Sequence, residues 1–210
     1  MYLPKSFVET RREVLDALLR AYPLATVLLS GADGIVANLV PFELDGPRRL
    51  RGHVARGNEL AHADGAEVLL LFHGPQGYVS PNWYPSKHAT GREVPTWNYV
   101  VVEVRGRLRV IDDAQWLRAF LECLTDRHEA GLPQPWHVGD APPDHIETSL
   151  RAIVGLEIAI TGISGKFKLS QNHPATNRAG VVEGLRRRAA PGDAELADLM
   201  VRAEESRDGP

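Results

Sequence analysis

The sequence predicts a mainly antiparallel β protein with helices, of the α+β class, built as a barrel with helical decorations. Two observations carry this prediction. A chain of 210 residues shows several short runs with strand periodicity joined by Gly-rich turns. Its longest regular pattern is a period-two alternation from Val100 to Val110, whose outward positions carry Glu103 and a series of arginines.

The elements follow in order along the chain. Residues 9–22 have apolar side chains at helical spacing and are stopped by Pro23. Three strand patterns follow, LATVLLS, IVANLVPFEL and RLRGHVA, separated by the turns Gly31–Gly34 and Gly46-Pro47, so we expect an antiparallel meander. Residues 58–64 predict a short helix, and EVLLLFH predicts a strand too apolar to be exposed on either face.

The second half continues the same alternation of strands and helices. Gly106 in the Val100–Val110 strand predicts a bend or a close backbone approach. Asp112 or Asp113 is expected to cap a helix that ends before Gly131. A helix ending near Arg151, the strand GLEIAITGI and terminal helices complete the chain.

The segment from Gly74 to Asn98 has no periodicity but is rich in Pro, Gly and aromatic rings. A long aperiodic segment within a compact domain is usually functional or disordered. The ring content favours a functional loop, since aromatic surface is stabilised by burial.

Composition excludes several classes of protein. The net charge is −3 and the single cysteine is Cys123, so no disulfide framework exists and a cytoplasmic protein is expected. No apolar run approaches the roughly 18 residues that span a bilayer. Direct DNA binding is not expected, because the only cationic run, Arg186–Arg188, points around a helix and is flanked by acids.

Two clusters suggest an anion site. Arg56-Gly57-Asn58 lies where a strand meets a short helix, and free N–H groups there could bind an anion beside the guanidinium. A solvent-facing arginine explains the same pattern. Lys166 and Lys168 share one face of a strand and precede Ser170, Gln171 and Asn172, which a solvated edge strand would also explain. The eight histidines lack metal-ligand spacing, so no metal site is predicted.

Several motifs in one order resemble a known family. GHVARGN, GYVSPNWYPSK, VPTWNY, LTDRHEAG, RAIVGLEI and GKFKLSQN are similar to the PaiB family, the FMN-binding negative transcriptional regulators. The resemblance covers residues 1–188 and implies an FMN-binding split β-barrel of the pyridoxamine-phosphate-oxidase type, with residues 189–210 as a helical tail. It further implies a homodimer with FMN at the subunit interface.

The resemblance also implies which residues bind the cofactor. The FMN phosphate would be held by Arg56 with Asn58. The aromatic loop from Gly74 to Asn98 and the segment KLSQN, residues 168–172, would close over the flavin ring. The full set is Arg51, His53, Val54, Ala55, Arg56, Asn58, Trp83, Trp97, Lys166, Lys168, Gln171 and Asn172. Trp83, Tyr84 and Trp97 have packing as the alternative role.

The function that the resemblance implies has three forms. The first is a flavin-dependent oxidoreductase or flavin-carrying regulator acting on a small molecule. The second is a heme b enzyme similar to piperazate synthases, which form an N–N bond, with His53 as the candidate ligand. The third is a transcriptional regulator or sensor without turnover. One departure is Leu39, which stands where the family often has histidine.

Overall fold

A computed structural model describes residues 1–31 and 34–208. Within these ranges it contains eight strands. They are β1 (Val8–Glu9), β2 (Leu24–Gly31), β3 (Gly34–Pro41), β4 (Glu43–Leu44), β5 (Arg49–Ala55), β6 (Glu67–Val79), β7 (Thr96–Ile111) and β8 (Ile153–Lys168).

The strands form one sheet in the order β3-β2-β6-β7-β8-β5-β4, with β1 also paired to β8. The predicted β2–β3 hairpin is confirmed, since Leu24 pairs with Pro41 and Gly31 with Gly34. Its predicted turn includes Ala32 and Asp33, which lie outside the described residues. The predicted second strand is divided into β3 and β4, and only β4 continues the meander, since Glu43 pairs with Arg51 and Leu44 with Leu50 across the predicted Gly46-Pro47 turn. The rest of β5 pairs with β8 and not with β3.

Strand β6 is longer than its pattern predicts. The apolar run continues as a strand through Gly74 and Pro75 to Val79, so the predicted loop is confined to the segment between β6 and β7. A Cβ on Gly74 would meet the Leu18 side chain at 2.9 Å, which shows that glycine permits close packing here. The apolar run is not exposed on either face, as predicted, since Leu69 and Leu71 on the second face are half-buried.

Strand β7 confirms the period-two prediction and extends it to 16 residues. Gly106 lies so close to Ile158 and the Ala159 carbonyl of β8 that a Cβ would overlap them. The predicted close backbone approach is therefore present.

Six α-helices lie within the described ranges: α1 (Arg12–Ala21), α2 (Pro85–Thr90), α3 (Ala114–Glu129), α4 (Pro143–Arg151), α5 (Ala175–Arg188) and α6 (Asp193–Asp208). Single-turn 3-10 helices cover Lys5–Phe7, Glu59–His62, Pro81–Trp83 and Val138–Asp140. Asp113, one of the two predicted caps, accepts from the N–H groups of Gln115 and Trp116 at the start of α3. None of the described helices has the length and apolarity of a membrane-spanning helix.

The chain divides into two compact units. Unit 1 comprises Met1–Leu18, His73–Val102 and the described residues from Ser164 onward, and unit 2 comprises Leu19–Phe72 and Glu103–Ile163. The predicted boundary at residue 188 stays a prediction, but α6 buries Leu196, Ala197 and Met200 within the same unit as α5.

Candidate functional site

The predicted site residues are distributed equally between the two units. The predicted residues from Arg51 to Asn58 belong to unit 2. The other predicted residues belong to unit 1, and they are Trp83, Trp97, Lys166, Lys168, Gln171 and Asn172. Each cluster is therefore described by itself.

The end of strand β5 presents Arg56 in an intrachain ion pair. Its Nη1 donates to Asp112 Oδ2 at 2.8 Å, its Nη2 contacts Oδ1, and its Nε donates to the Arg151 carbonyl at 2.6 Å. The hydrogen bond from Arg56 lowers the pKa of Asp112, and the same bond raises the pKa of Arg56. The proposed phosphate anchor is thus exposed and correctly oriented at a strand end, but Asp112 already neutralises it.

Beside Arg56, Asn58 links the strand end to strand β3. Its Oδ1 accepts from the Leu60 N–H at 2.9 Å and caps the short helix Glu59–His62. Its Nδ2 donates to Asn38 Oδ1 at 2.8 Å. The remaining amide nitrogen, Asn38 Nδ2, is buried and has no hydrogen-bond partner within residues 1–31 and 34–208. A buried donor left unpaired costs free energy, so this position favours an acceptor supplied by a ligand or water.

Asn38 was not among the residues predicted to bind the cofactor. The sequence placed it within a strand pattern beside Leu39, and no local signal shows that Asn58, 20 positions away, will donate a hydrogen bond to its side chain. Gly57 lies between Arg56 and Asn58, and the space where a Cβ would stand is open. The prediction of free N–H groups here is wrong for two of the three residues, because Arg56 N–H donates to the Ala152 carbonyl at 3.0 Å and Asn58 N–H donates to the Ala55 carbonyl at 2.9 Å.

Arg51 and His53 lie on the face of β5 that helix α3 covers. The Arg51 guanidinium lies 5.6 Å from the Phe120 ring centroid, and the His53 ring packs edge-on against Phe120 at 6.0 Å. Burial lowers the pKa of His53, which favours the neutral imidazole, and its Nδ1 is buried without a hydrogen-bond partner among the residues that the structure describes. Of the other two predicted residues, Val54 faces the opposite side and is buried, whereas Ala55 is exposed.

Strand β3 presents an apolar surface next to Asn38. The side chains of Ile35 and Leu39 are 76% and 69% exposed, and Ala37 lies between them on the same side. Leu24 on the paired strand adds to this surface, which is hereafter called the β3 face (Leu24, Ile35, Ala37, Leu39). Exposed apolar patches of this kind usually mark an interface or a ligand.

In unit 1, Lys166 and Lys168 lie at the end of β8 among aromatic side chains. Lys166 Nζ lies 5.6 Å from the Tyr2 ring and 5.3 Å from the Tyr99 ring. Lys168 Nζ donates to Thr96 Oγ1 at 2.6 Å and to the Trp97 carbonyl at 2.5 Å. The structure therefore brings three of the predicted residues, the two lysines and Trp97, to one place.

The other predicted residues of unit 1 have different surroundings. Trp83 packs on helix α5, where Gly180 and Gly184 leave room for its backbone and ring, and Arg188 lies 5.2 Å over the ring. Gln171 turns back to bond the Phe167 carbonyl and the Leu169 N–H, while Asn172 is exposed.

The terminal arginine run is paired with carboxylates. Arg186 contacts Asp198 at 3.1 Å, Arg187 contacts Glu183 at 3.8 Å, and Arg188 contacts Asp193 at 2.5 Å. Each of the three arginines thus has an acidic partner in its own unit.

The residues of unit 2 fit the anionic end of a flavin nucleotide. The unpaired Asn38 donor, the open backbone at Gly57 and the guanidinium of Arg56 are the kinds of group that bind phosphate. The β3 face lies on the opposite side of the strand from the Asn38 side chain, because alternate residues of a strand point to opposite faces, so it is a separate surface.

The predicted fold class, an α+β split barrel of the flavin-binding type, is confirmed by comparison with solved structures. The FAD and heme binding protein from Mycobacterium smegmatis matches 82% of this chain and 78% of its own, with 25% identity and a TM-score of 0.61. The flavocytochrome Anf3 from Azotobacter vinelandii matches 77% of this chain and 69% of its own, with 19% identity and a TM-score of 0.53, which supports the fold alone.

The chain belongs to the family described as "Putative FMN-binding domain", whose model matches residues 1–162. An uncharacterized protein of Emericella nidulans is 31% identical, with 99% of each chain covered. The protease synthase and sporulation protein PAI 2 of Bacillus subtilis is 29% identical over 95% of this chain and 96% of its own. The predicted PaiB membership is confirmed, and FMN, the predicted cofactor, is the one that the family description names.

Proposed function

We propose that this protein is an FMN-binding homodimer that acts in the cytoplasm as a flavin-dependent oxidoreductase. The observation that carries the proposal is the buried, unpaired Nδ2 of Asn38, held by Asn58 beside Arg56 in a chain of the FMN-binding family. A ligand oxygen would satisfy this donor.

Four residues of unit 2 have defined parts in binding FMN. Asn38 and Asn58 offer amide groups, Gly57 leaves the backbone accessible, and Arg56 supplies positive charge. Asp112 competes for Arg56, so the phosphate must replace this carboxylate or share the guanidinium with it. Bound FMN accepts and donates electrons, while the chain supplies binding, orientation and nearby charge.

The β3 face supports contact with a second subunit. Its side chains point to the side of strand β3 opposite to Asn38, so they do not belong to the flavin site at Asn38. Leu39 stands where the resemblance implies a histidine, and a leucine can neither donate nor accept a proton. Any proton transfer during turnover must therefore come from another residue or from water. The apolar area of the β3 face is proposed as the contact with the second copy, since a two-fold interface brings like surfaces together.

A visible spectrum of the purified protein, followed by titration with FMN, tests this proposal. We expect flavin absorption in the protein or saturable FMN binding, and steady oxidation of a reductant with an acceptor present would establish the oxidoreductase. Flavin binding without turnover would instead indicate a flavin-carrying regulator or sensor. Absence of both flavin absorption and FMN binding would overturn the cofactor assignment.

Heme b is the second candidate, and His53 is the observation that favours it. Its imidazole is kept neutral by burial and its Nδ1 has no partner, which are properties of a metal-ligating histidine. The Mycobacterium smegmatis neighbour is described as binding FAD and heme. A Soret band that disappears in His53→Ala, with no FMN binding, would favour a heme enzyme resembling the piperazate synthases.

A further inference from the structure

Lys166 is a buried cation that no carboxylate neutralises. The residue is only 8% exposed, and within the described ranges its ammonium group has no hydrogen bond or ion pair. Its contacts are the rings of Tyr2 and Tyr99. Cation–π contacts stabilise the ammonium group but do not neutralise its charge.

Glu9, the acidic residue of strand β1, already has a partner. Glu9 follows Val8, which pairs with Lys166 across strands β1 and β8. The Glu9 carboxylate accepts from Arg11 Nη2 at 2.7 Å and from Arg11 Nε at 3.0 Å. It is therefore not available to neutralise the lysine.

Lys168 adds a second positive charge on the same face of β8. Two residues apart on a strand, the lysines are separated by about 7 Å along the chain. Burial lowers the pKa of Lys168, and the charge of Lys166 lowers it further. Its hydrogen bonds go to uncharged oxygens of Thr96 and Trp97, so this pair of cations has no counter-charge among the described residues of unit 1.

Aromatic surface surrounds the two lysines. Trp97 is 51% exposed, and Tyr78 meets its ring edge-on at 6.4 Å between centroids. Tyr2 is exposed and Tyr99 is half-buried. Exposed rings next to cations match a ligand that combines a planar ring with a negative charge.

We propose that Lys166 and Lys168, with Tyr2, Tyr99 and Trp97, form an anion-binding subsite for a small planar molecule that carries a carboxylate or phosphate group. The anion has two sources, the flavin phosphate itself or a second molecule that exchanges electrons with the flavin. The second source rests on the proposed function, whereas the anion site does not.

Chemical labelling of lysine tests the subsite directly, because the chain has only four lysines. Acetylation by acetic anhydride would be followed at each lysine by mass spectrometry, with Lys5 and Lys87 as internal controls. The probes are FMN against riboflavin, and 4-hydroxybenzoate against 4-hydroxybenzyl alcohol. At ten times its dissociation constant, a bound anion should slow labelling of Lys166 and Lys168 by about tenfold, since only the free fraction reacts.

The four probes distinguish a site for the flavin phosphate, a site for a second molecule and the absence of an anion site. Protection by FMN and not by riboflavin supports the subsite and assigns it to the flavin phosphate. Protection by 4-hydroxybenzoate and not by the alcohol supports the subsite and assigns it to a second molecule. Equal protection by charged and neutral members of a pair, or protection by none of the four, overturns the proposal. The comparison of 4-hydroxybenzoate with 4-hydroxybenzyl alcohol tests the anion site even if the protein binds no flavin.

Substitution provides an independent test. Lys166→Met and Lys168→Met should abolish the rise in melting temperature that the protecting anion causes, while Lys5→Met should keep it. Because Lys168→Met also removes the hydrogen bonds to Thr96 and Trp97, the rise in melting temperature of each variant is measured against the same variant without ligand. If both variants keep the ligand-induced rise, the lysines have only a structural role.

Discussion

At the scale of single residues, burial separates the aromatic side chains that pack from those that remain available. Trp83 and Trp97 come from the same aromatic segment, yet Trp83 lies on the glycines of α5 and Trp97 is half exposed. We therefore predict packing as the role of Trp83 and cofactor contact as the role of Trp97.

Replacement of each tryptophan by leucine tests this difference. Trp83→Leu removes contacts with α5 and Arg188 and should destabilise the protein by about 2 kcal/mol, measured by urea unfolding. Trp97→Leu should change stability by less than about 0.5 kcal/mol but weaken retention of the bound ligand. A larger loss of stability in Trp97→Leu would assign Trp97 to packing.

Arg56 is tested by comparing FMN with riboflavin. A charge-assisted contact is worth about 1.5–3 kcal/mol, so Arg56→Ala should weaken FMN binding by roughly 10- to 150-fold and leave riboflavin binding unchanged. Asp112→Asn is the matched control, because it removes the competing carboxylate and should preserve FMN binding or tighten it. Equal losses for both flavins in Arg56→Ala would show that the residue shapes the site without binding phosphate.

At the scale of elements, the ion pair between Arg188 and Asp193 stabilises the turn between α5 and α6. Asp193 is only 1% exposed and accepts from Arg188 Nε at 2.8 Å, Arg188 Nη2 at 2.5 Å and the Ala190 N–H at 2.9 Å. Arg188 also donates to the Tyr78 carbonyl at 2.9 Å. The pair therefore joins the turn to the end of β6.

Loss of this pair should destabilise the protein in a pH-dependent way. The hydrogen bond from Arg188 lowers the pKa of Asp193, so its contribution is present above the unfolded pKa of about 4 and is lost as pH falls through the folded value. Asp193→Asn should cost about 1.5–3 kcal/mol at pH 7 by urea unfolding. The difference between variant and parent should shrink below pH 4; a constant difference would exclude the charge as the cause.

At the scale of the whole molecule, the β3 face is the apolar surface that a single chain leaves open. Strand β3 is the last strand in the pairing order of the sheet, and its side chains Ile35 and Leu39 are exposed. Exposed apolar surface of this kind is unfavourable in water. A second copy of the chain is the proposed cover.

Sedimentation of a β3-face variant tests the homodimer. We expect the parent to sediment as a dimer of the 23.1 kDa chain, and Leu39→Asp to sediment as a monomer because a buried, unpaired carboxylate is costly. Leu132→Asp, at an exposed leucine after α3, should remain dimeric. A monomeric parent at micromolar concentration would contradict the homodimer, and a dimeric Leu39→Asp would place the interface elsewhere.

The sequence by itself determined the elements whose patterns are local. The alternation from Val100 to Val110 predicted β7, and Asp113 with the apolar positions after it predicted α3, because side-chain periodicity and capping depend on neighbours in the chain. The family motifs likewise predicted the fold class and the cofactor.

Only the tertiary structure decided which distant residues meet. It placed β5 between β4 and β8, joined Asn58 to Asn38, and buried Lys166 between two tyrosines. In the sequence, Lys166 is one polar residue of an alternating strand, and the same pattern fits a solvated edge. Its burial depends on strands β1 and β7, which lie far away along the chain, and local periodicity contains no information about such pairings.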